Sequence, residues 1–476
     1  MIGDTMNKTK IVATIGPASQ DKKVLKQMIL AGLDVIRINM SHADEKFCDD
    51  IISKVNDLNQ ELNTNVAIMM DLNGPTIVVN HLKEKKITLE AGDTIEVYAN
   101  RKVDNQIALS VSYDQLGEDL KYNSHLILGD HEVLLKVIDK SDDVITCKVD
   151  KGGVVTKGMK VISPDCKLHF PFLTEKDKKD ILYAHNHNVD FLALSFVMSS
   201  ENVLEVNDLL IQMNDNRMSI LTKIETEEAV DEIDEIIRVS DGILIARGDL
   251  GVSLPVERIP GIQKMIIHKC HNEGKVSLVA TEFLASMEDD NHPTRAEVSD
   301  IANAVLDGVD AVVLCGETTV GKYPIEALTM MEKVIETAEE DIPYFELLDN
   351  AMRTEEEGIT GSLAYSVATT ANRLKCVAIV TPTVTGYTAR RISRFRPICP
   401  ILALSKDEAV IKQLSLYFGV YGVKIKEFTS FDKMMDETLE KLNEFMDTKE
   451  HDTVIITGGY PFQEVKHTNF MRIEEL

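Results

Sequence analysis

Short apolar runs alternate with amphipathic stretches over the first 340 residues. Eight runs read as strands: 10–15, 34–39, 66–71, 189–195, 218–223, 242–247, 276–281 and 309–315. Each is too short for a helix and rich in Val, Ile and Leu, the signature of strands buried on both faces. Between them the period changes. After the first strand, Val24, Leu25, Met28 and Ile29 recur at helical spacing until Gly32; after the fifth, Ala229, Ile233, Ile236 and Ile237 do the same behind an acidic first turn. Eight strand–helix repeats are the count of a closed (β/α)8 TIM barrel. An open doubly wound sheet alternates in the same way. Nearly every strand here ends in a polar residue, which favours the barrel, whose chemistry sits at the downstream strand ends.

The repeat breaks once, between Asp71 and Val189. That stretch carries short β-type alternations such as Lys86-Ile87-Thr88-Leu89 and Val144-Ile145-Thr146-Cys147-Lys148-Val149, separated by turns such as Ala91-Gly92-Asp93 and Lys151-Gly152-Gly153. It reads as a small all-β lid inserted beside the active rim, where a lid excludes water. After about residue 355, strand-like runs at 376–381, 400–404, 420–425 and 453–457 mark a separate α/β domain, with the acidic stretch 339–358 as the boundary. The expected division is 1–74 and 172–345 for the two parts of the barrel, 75–171 for the lid and 346–476 for the C-terminal α/β domain.

Composition narrows the function. The chain has 476 residues, 44% of them hydrophobic, with 78 acids against 51 bases for a net charge of −27. Such a surface repels nucleic-acid phosphates and anionic membranes, so neither is expected as a partner. An anionic substrate would need a local positive field. The seven cysteines form no Cys-x-x-Cys pair and read as reduced thiols of a cytoplasmic protein. No apolar run approaches the roughly 20 residues that span a bilayer.

The chemistry concentrates at strand ends. Lys223 and Glu225 stand at i and i+2 after the fifth strand, facing one side. Asp249, in Ala246-Arg247-Gly248-Asp249-Leu250-Gly251, follows the sixth. Two carboxylates beside an ammonium suit a magnesium ion completed by substrate oxygens, with a cation to meet developing negative charge. Gly248 and Asp249 offer backbone N–H groups at a helix start. Thr281 ends the seventh strand, where its hydroxyl could hydrogen-bond a carboxylate or relay a proton. The string Arg37–His42 closes the second strand, and an arginine there can fork onto phosphate or carboxylate oxygens. Asn39 and Ser41, with Asp71, offer oxygens to a cation; the same residues also suit a hydrogen-bond network at the rim. His185-Asn186-His187 reads as a polar turn rather than a metal pair.

Taken together these strings resemble the pyruvate kinase family. The resemblance runs through Thr9–Pro17, Arg37–His42, Gly74-Pro75, Leu173–Asp177, Lys223–Glu225, Ala246–Gly251, Pro293–Asp300 and Gly316-Glu317-Thr318. It implies a barrel with an inserted lid, a C-terminal regulatory domain and a homotetramer. It also implies glycolytic phosphoryl transfer from phosphoenolpyruvate to ADP, giving pyruvate and ATP. Carried over, Glu225 and Asp249 hold Mg2+ (or Mn2+), while Asn39, Ser41 and Asp71 match ligands of K+. Lys223, Thr281 and Arg37 are catalytic, and Gly248, Asp249 and Thr281 seat the substrate. Arg37, His42 and Lys157 face the nucleotide. Thr383, Thr385, Gly386 and Thr388 match the site where family members bind a sugar-phosphate effector; an N-cap without a ligand suits the same residues.

The chain departs from the family after the third strand, where Asp71-Leu72-Asn73-Gly74-Pro75-Thr76-Ile77-Val78 stands for Asp-Thr-Lys-Gly-Pro-Glu-Ile-Arg. A lysine, an acid and an arginine are missing at Asn73, Thr76 and Val78. Met198, Glu282 and Cys315 are further departures. These substitutions leave a second reading, a weakened regulator or subunit with impaired nucleotide binding. A third, a magnesium-dependent aldolase acting on pyruvate, would need no lid.

Overall fold

A computed structural model describes residues 7–129, 132–141, 144–164, 166, 171–353, 358–426, 431–461 and 468–476. Eight parallel strands close into a barrel: Lys10–Thr14, Val35–Asn39, Ala67–Asp71, Phe191–Leu194, Ser219–Ile224, Gly242–Ala246, Val276–Ala280 and Ala311–Leu314. Closure comes from pairing the first strand with the eighth, Lys10 opposite Ala311 and Ala13 opposite Leu314. Alternate residues face opposite ways. Val12, Met69, Phe191, Leu221, Leu244 and Leu278 fill the barrel interior, and Ile11, Ile36, Ile68, Ile220 and Ile243 pack outward against the helices. The helices begin at side-chain caps where the sequence supplies them, as with Asp21, Asp44, Thr174 and Thr294. The helical pattern after the fifth strand is realised as two short helices, Glu227–Asp231 and Ile233–Val239.

Between the third and fourth barrel strands lies the lid, a seven-stranded sheet with an additional strand pair, Lys86–Leu89 with Gly153–Thr156. It has its own core, including Ile95, Val97, Leu135, Val137, Ile145 and Val149. The C-terminal domain is a five-stranded sheet, four strands parallel and a last, antiparallel edge strand, Phe470–Glu475, that the sequence pattern does not single out. Its polar ends and half-exposed residues hide the β period. The stretch expected as a boundary is largely helical: helix Pro324–Glu340 runs into it and Tyr344–Arg353 follows. Leu348 and Ala351 of the second helix join the C-terminal core.

The C-terminal domain seals the bottom of the barrel. Leu416 is fully buried in the cluster of inward-facing barrel residues. Beside it, Arg394 Nε donates to His271 O at 3.0 Å, Arg396 pairs with Asp310 at 2.9 Å, and the His271 ring binds Arg394 O. Burial, helped by Arg396, lowers the His271 pKa to about 3. A folded pKa below the unfolded value means the unfolded chain takes up the proton first, so this stability is lost as pH falls below about 6.5. The loss reaches about 3 kcal/mol by pH 4.5. His271→Gln, which keeps an N–H donor and cannot charge, should flatten the acid limb of the melting temperature between pH 7 and 4.5. An unchanged acid limb would mean the interface does not respond to this ring.

Candidate functional site

The downstream ends of the strands converge on one buried charge network. Asp71, 1% exposed, is its centre. It accepts from Arg37 Nε at 2.6 Å and pairs with Arg37 Nη2, also at 2.6 Å; its other oxygen accepts from Ser195 Oγ at 3.2 Å and Lys223 Nζ at 3.4 Å. Lys223 Nζ also donates to Ser195 Oγ at 2.7 Å and lies 3.0 Å from Glu225 Oε1. The Arg37 guanidinium is fixed further by Thr14 Oγ1 at 2.7 Å and by Cys315 Sγ at 3.7 Å. Burial works against the charge on Lys223, and Asp71 and Glu225 more than offset it, so its pKa ends above the ordinary value. Burial would likewise push Asp71 up, but Arg37 and Lys223 hold it below the ordinary carboxylate range.

Glu225 lies beside Asp249, which the short helix Arg247–Ser253 carries just after the sixth strand. Glu225 Oε2 accepts from Phe196 N at 2.6 Å, whereas Oε1 is buried with no hydrogen bond of good geometry. Burial, then the neighbouring Asp249 charge, raises the Glu225 pKa. Asp249 is opposed by burial too, yet Lys160 and Lys223 hold it below the ordinary value. Two adjacent carboxylates, one with a buried oxygen that the Lys223 ammonium flanks at 3.0 Å, fit a divalent cation. Among the described residues no third His, Cys, Asp or Glu joins them, so the remaining ligands would have to be substrate oxygens and water.

Thr281 is placed by an unusual backbone: it and Glu282 both adopt positive φ, 75° and 60°. For a β-branched residue this is strained, and such strain clusters at functional sites. The turn brings Thr281 Oγ1 within 2.8 Å of Gly248 N, so the first N–H of the anion cradle is already engaged. Arg247 locks the same corner, donating to Thr281 O at 2.6 Å, pairing with Asp300 at 2.7 Å and lying over the Phe283 ring.

The oxygens expected to hold a monovalent cation form a neutral network. Ser41 N donates to Asn39 Oδ1 at 3.0 Å, Ser41 Oγ to Asn73 Oδ1 at 2.7 Å, and Asn73 Nδ2 to Thr76 Oγ1 at 3.0 Å. Asp71 is committed to Arg37, Lys223 and Ser195. His42 is exposed on the turn after the second strand. Lys157 lines a cleft of about 1460 Å3 between lid and barrel, which Gly248, Asp249 and Thr281 also line. In the C-terminal domain, Thr383 Oγ1 accepts from Gly386 N at 2.9 Å, Thr385 O from Arg390, and Thr388 Oγ1 shares a 2.8 Å hydrogen bond with Thr468. His185 and His187 end helix Glu175–Asn186 rather than forming a turn; His185 pairs with Asp215 and His187 stacks on Tyr183.

Residues 6–328 match the family model "Pyruvate kinase, barrel domain", and residues 361–474 match "Pyruvate kinase, alpha/beta domain". The chain belongs to the pyruvate kinase family. A pyruvate kinase of Sporosarcina psychrophila is 38% identical over 470 residues, covering 98% of this chain and 80% of that one. A pyruvate kinase of Clostridium perfringens is 35% identical over 474 residues, covering 99% of this chain and 100% of the relative. The crystal structure of a pyruvate kinase from Cryptosporidium parvum superposes with a TM-score of 0.94 at 32% identity, covering 100% of this chain and 98% of that one. The chain is thus an enzyme of the transferase class, with the pyruvate kinase barrel, lid and C-terminal domain. Two site residues lie outside the strings that carry this family likeness. Ser195 could have been found by the rule that found the others, since it ends the fourth strand. Lys160 has no local signal; only the register of the lid brings it to Asp249.

Proposed function

We propose that the chain transfers the phosphoryl group of phosphoenolpyruvate to ADP, giving pyruvate and ATP, with Mg2+ or Mn2+ at Glu225 and Asp249. The observation that carries this reading is the meeting of Lys223, Glu225 and Asp249 beside Arg37 and Thr281 on one barrel face. In the reaction, the bond between phosphorus and the enol oxygen breaks and a bond to a terminal ADP oxygen forms. The enolate then takes a proton at carbon. The divalent ion, when bound, supplies Lewis-acid neutralisation of phosphoryl and enolate charge. Lys223, held positive by Asp71 and Glu225, faces the charge on the transferring group. Arg37, clamped by Asp71 and Thr14, holds phosphate oxygens. Gly248, Asp249 and Thr281 seat the substrate carboxylate, and the Thr281 hydroxyl helps deliver the proton. Such transfer depends almost entirely on positioning and electrostatics, which a rigid buried network provides.

Around this centre, Arg37, His42 and Lys157 serve the nucleotide, and Asn39, Ser41 and Asp71 hold K+. Thr383, Thr385, Gly386 and Thr388 take a sugar-phosphate effector in a cytoplasmic homotetramer. The reading is tested by following pyruvate formation from phosphoenolpyruvate and ADP with Mg2+, with and without K+. Turnover that requires both substrates and Mg2+ is expected, and K+ should raise it several-fold. No pyruvate at saturating ADP, across sugar-phosphate effectors, would sink the kinase reading in favour of the regulator. Equal rates with and without K+ would sink only the K+ assignment.

A further inference from the structure

Thr281 and Glu282 keep a left-handed backbone that neither residue favours, so neighbouring elements must hold the turn in place. The Pro293–Asp300 string, which the proposed reaction leaves without a role, supplies two of the holds. Glu297 and Asp300 stand three residues apart on helix Arg295–Leu306 and so share a face. Glu297 accepts from Ser286 N at 2.8 Å and from Ser286 Oγ at 2.6 Å, which fixes the chain just past the turn. Leu284 N adds an anchor there, donating to Glu317 Oε1 at 3.0 Å. Asp300 takes the Arg247 guanidinium instead, with Arg247 Nη1 at 2.7 Å from Oδ2 and 2.9 Å from Oδ1.

Arg247 carries that second hold to the turn itself. Its Nη2 donates to Thr281 O at 2.6 Å, and the guanidinium lies 4.3 Å from the Phe283 ring centroid. Gripping the carbonyl orients the peptide that follows Thr281. The hydroxyl of the same residue accepts from Gly248 N at 2.8 Å, one residue along from Arg247. The contacts close a ring: Arg247 holds Thr281 by its carbonyl, and Thr281 holds Gly248 by its hydroxyl. The Arg247 side chain is only 10% exposed, and its charge is balanced by Asp300. Without that partner a largely buried cation loses its counter-charge. Asp249, Glu282 and Asp307 line the same cleft and offer the guanidinium other carboxylates, at the expense of its grip on Thr281.

We propose that Asp300 is a positioning residue for Thr281, acting through Arg247. By fixing the guanidinium on the Thr281 carbonyl, it aims the Thr281 hydroxyl and the Gly248 N–H at one substrate. This inference rests on the proposed seating of the substrate at Gly248 and Thr281, but its first readout needs no turnover. Asp300 itself touches neither substrate nor metal in this account.

The test uses the full-length protein. Hydrogen–deuterium exchange of the substrate-free enzyme is followed by mass spectrometry on peptides spanning Gly248. Asp300→Asn, which keeps the shape at a 38% exposed side chain, should speed Gly248 exchange about tenfold and leave strand Gly242–Ala246 unchanged. Arg247→Lys keeps the charge but loses the fork that reaches Asp300 and Thr281 O together, so it should do the same. In the pyruvate assay each variant should lower kcat by about tenfold or more, with KM for ADP within about twofold of wild type. The double variant should be no worse than the poorer single one, because both changes break one chain of contacts. Unchanged Gly248 exchange overturns the proposal, and so do losses in kcat that multiply in the double variant. Faster exchange throughout the barrel would assign Asp300 to general stability and overturn it as well. A wild type that makes no pyruvate, with the local Gly248 effect present, would sink the proposed reaction and leave the Asp300–Arg247–Thr281 brace standing.

Discussion

Lys223→Met should lower kcat for pyruvate formation by about a thousandfold and leave the fold intact. The methionine fills nearly the same volume, so packing against the strand is kept. What disappears is a buried ammonium that Asp71 and Glu225 hold charged and Ser195 aims. In a water-excluded site that charge stabilises a transition state far better than it could in solvent. The carboxylates left behind retain partners: Asp71 keeps Arg37 and Ser195, and Glu225 keeps Phe196 N. Phosphoenolpyruvate affinity should therefore change by less than about tenfold, because Lys223 acts mainly on charge that develops later. A residual kcat above one-tenth of wild type would assign the electrostatic role elsewhere.

Asp71→Asn should act on both stability and catalysis. The substitution conserves shape and removes the one anion that balances Arg37 and Lys223 together. Both cations are largely buried, so each is left short of compensation; breaking such a network by deleting one partner costs about 3–5 kcal/mol. Urea unfolding should shift to lower midpoint by a corresponding amount, without a change in slope. Arg37 and Lys223 would then repel each other and drift, and kcat should fall about a hundredfold or more. A variant as stable as wild type would show that the two cations find water in the native state, against their low exposure of 11% and 9%.

Local periodicity carried most of the architecture. The eight barrel strands lie within two residues of the runs read from the sequence, because strands buried on both faces must be apolar from end to end. Lys223 and Glu225 were legible for the same reason, since polar residues that break such a run sit at the barrel mouth, whereas Arg37 lies within its strand and Asp249 in the helix that follows the sixth strand. Thr281 was legible as a strand end, but its left-handed backbone and its bond to Gly248 were not, since nothing in Ala280-Thr281-Glu282 announces positive φ. Lys160 was invisible because its ion pair with Asp249 depends on a lid segment bridged to Val78 across about eighty residues of intervening chain. The helical content of 339–353 was masked by acidity, which reads as linker although Glu340, Glu346 and Asp349 lie on the exposed faces of two packed helices. A rim hydrogen-bond network at Asn39 and Ser41 was one of the two readings their sequence allowed, but its partners Asn73 and Thr76 were not, because side-chain pairing across a loop has no period.

The position of the lid also governs the order in which the molecule can assemble. The chain leaves the barrel after Asp71 and must return at Phe191 to lay down the neighbouring strand, with Asp71 opposite Ala193. An unstructured excursion of that length would make closure costly in entropy, though each doubling of a loop adds only about 0.6 kcal/mol. A lid with its own core removes much of the excursion by bringing its two ends together before the barrel strands pair. The first strand, meanwhile, waits for the eighth, since Lys10 meets Ala311 only after nearly two-thirds of the protein has been made. A nascent chain on the ribosome can therefore hold a finished lid long before it holds a catalytic centre, and the acidic pocket around Glu225 stays open to solvent until the ring of strands is complete.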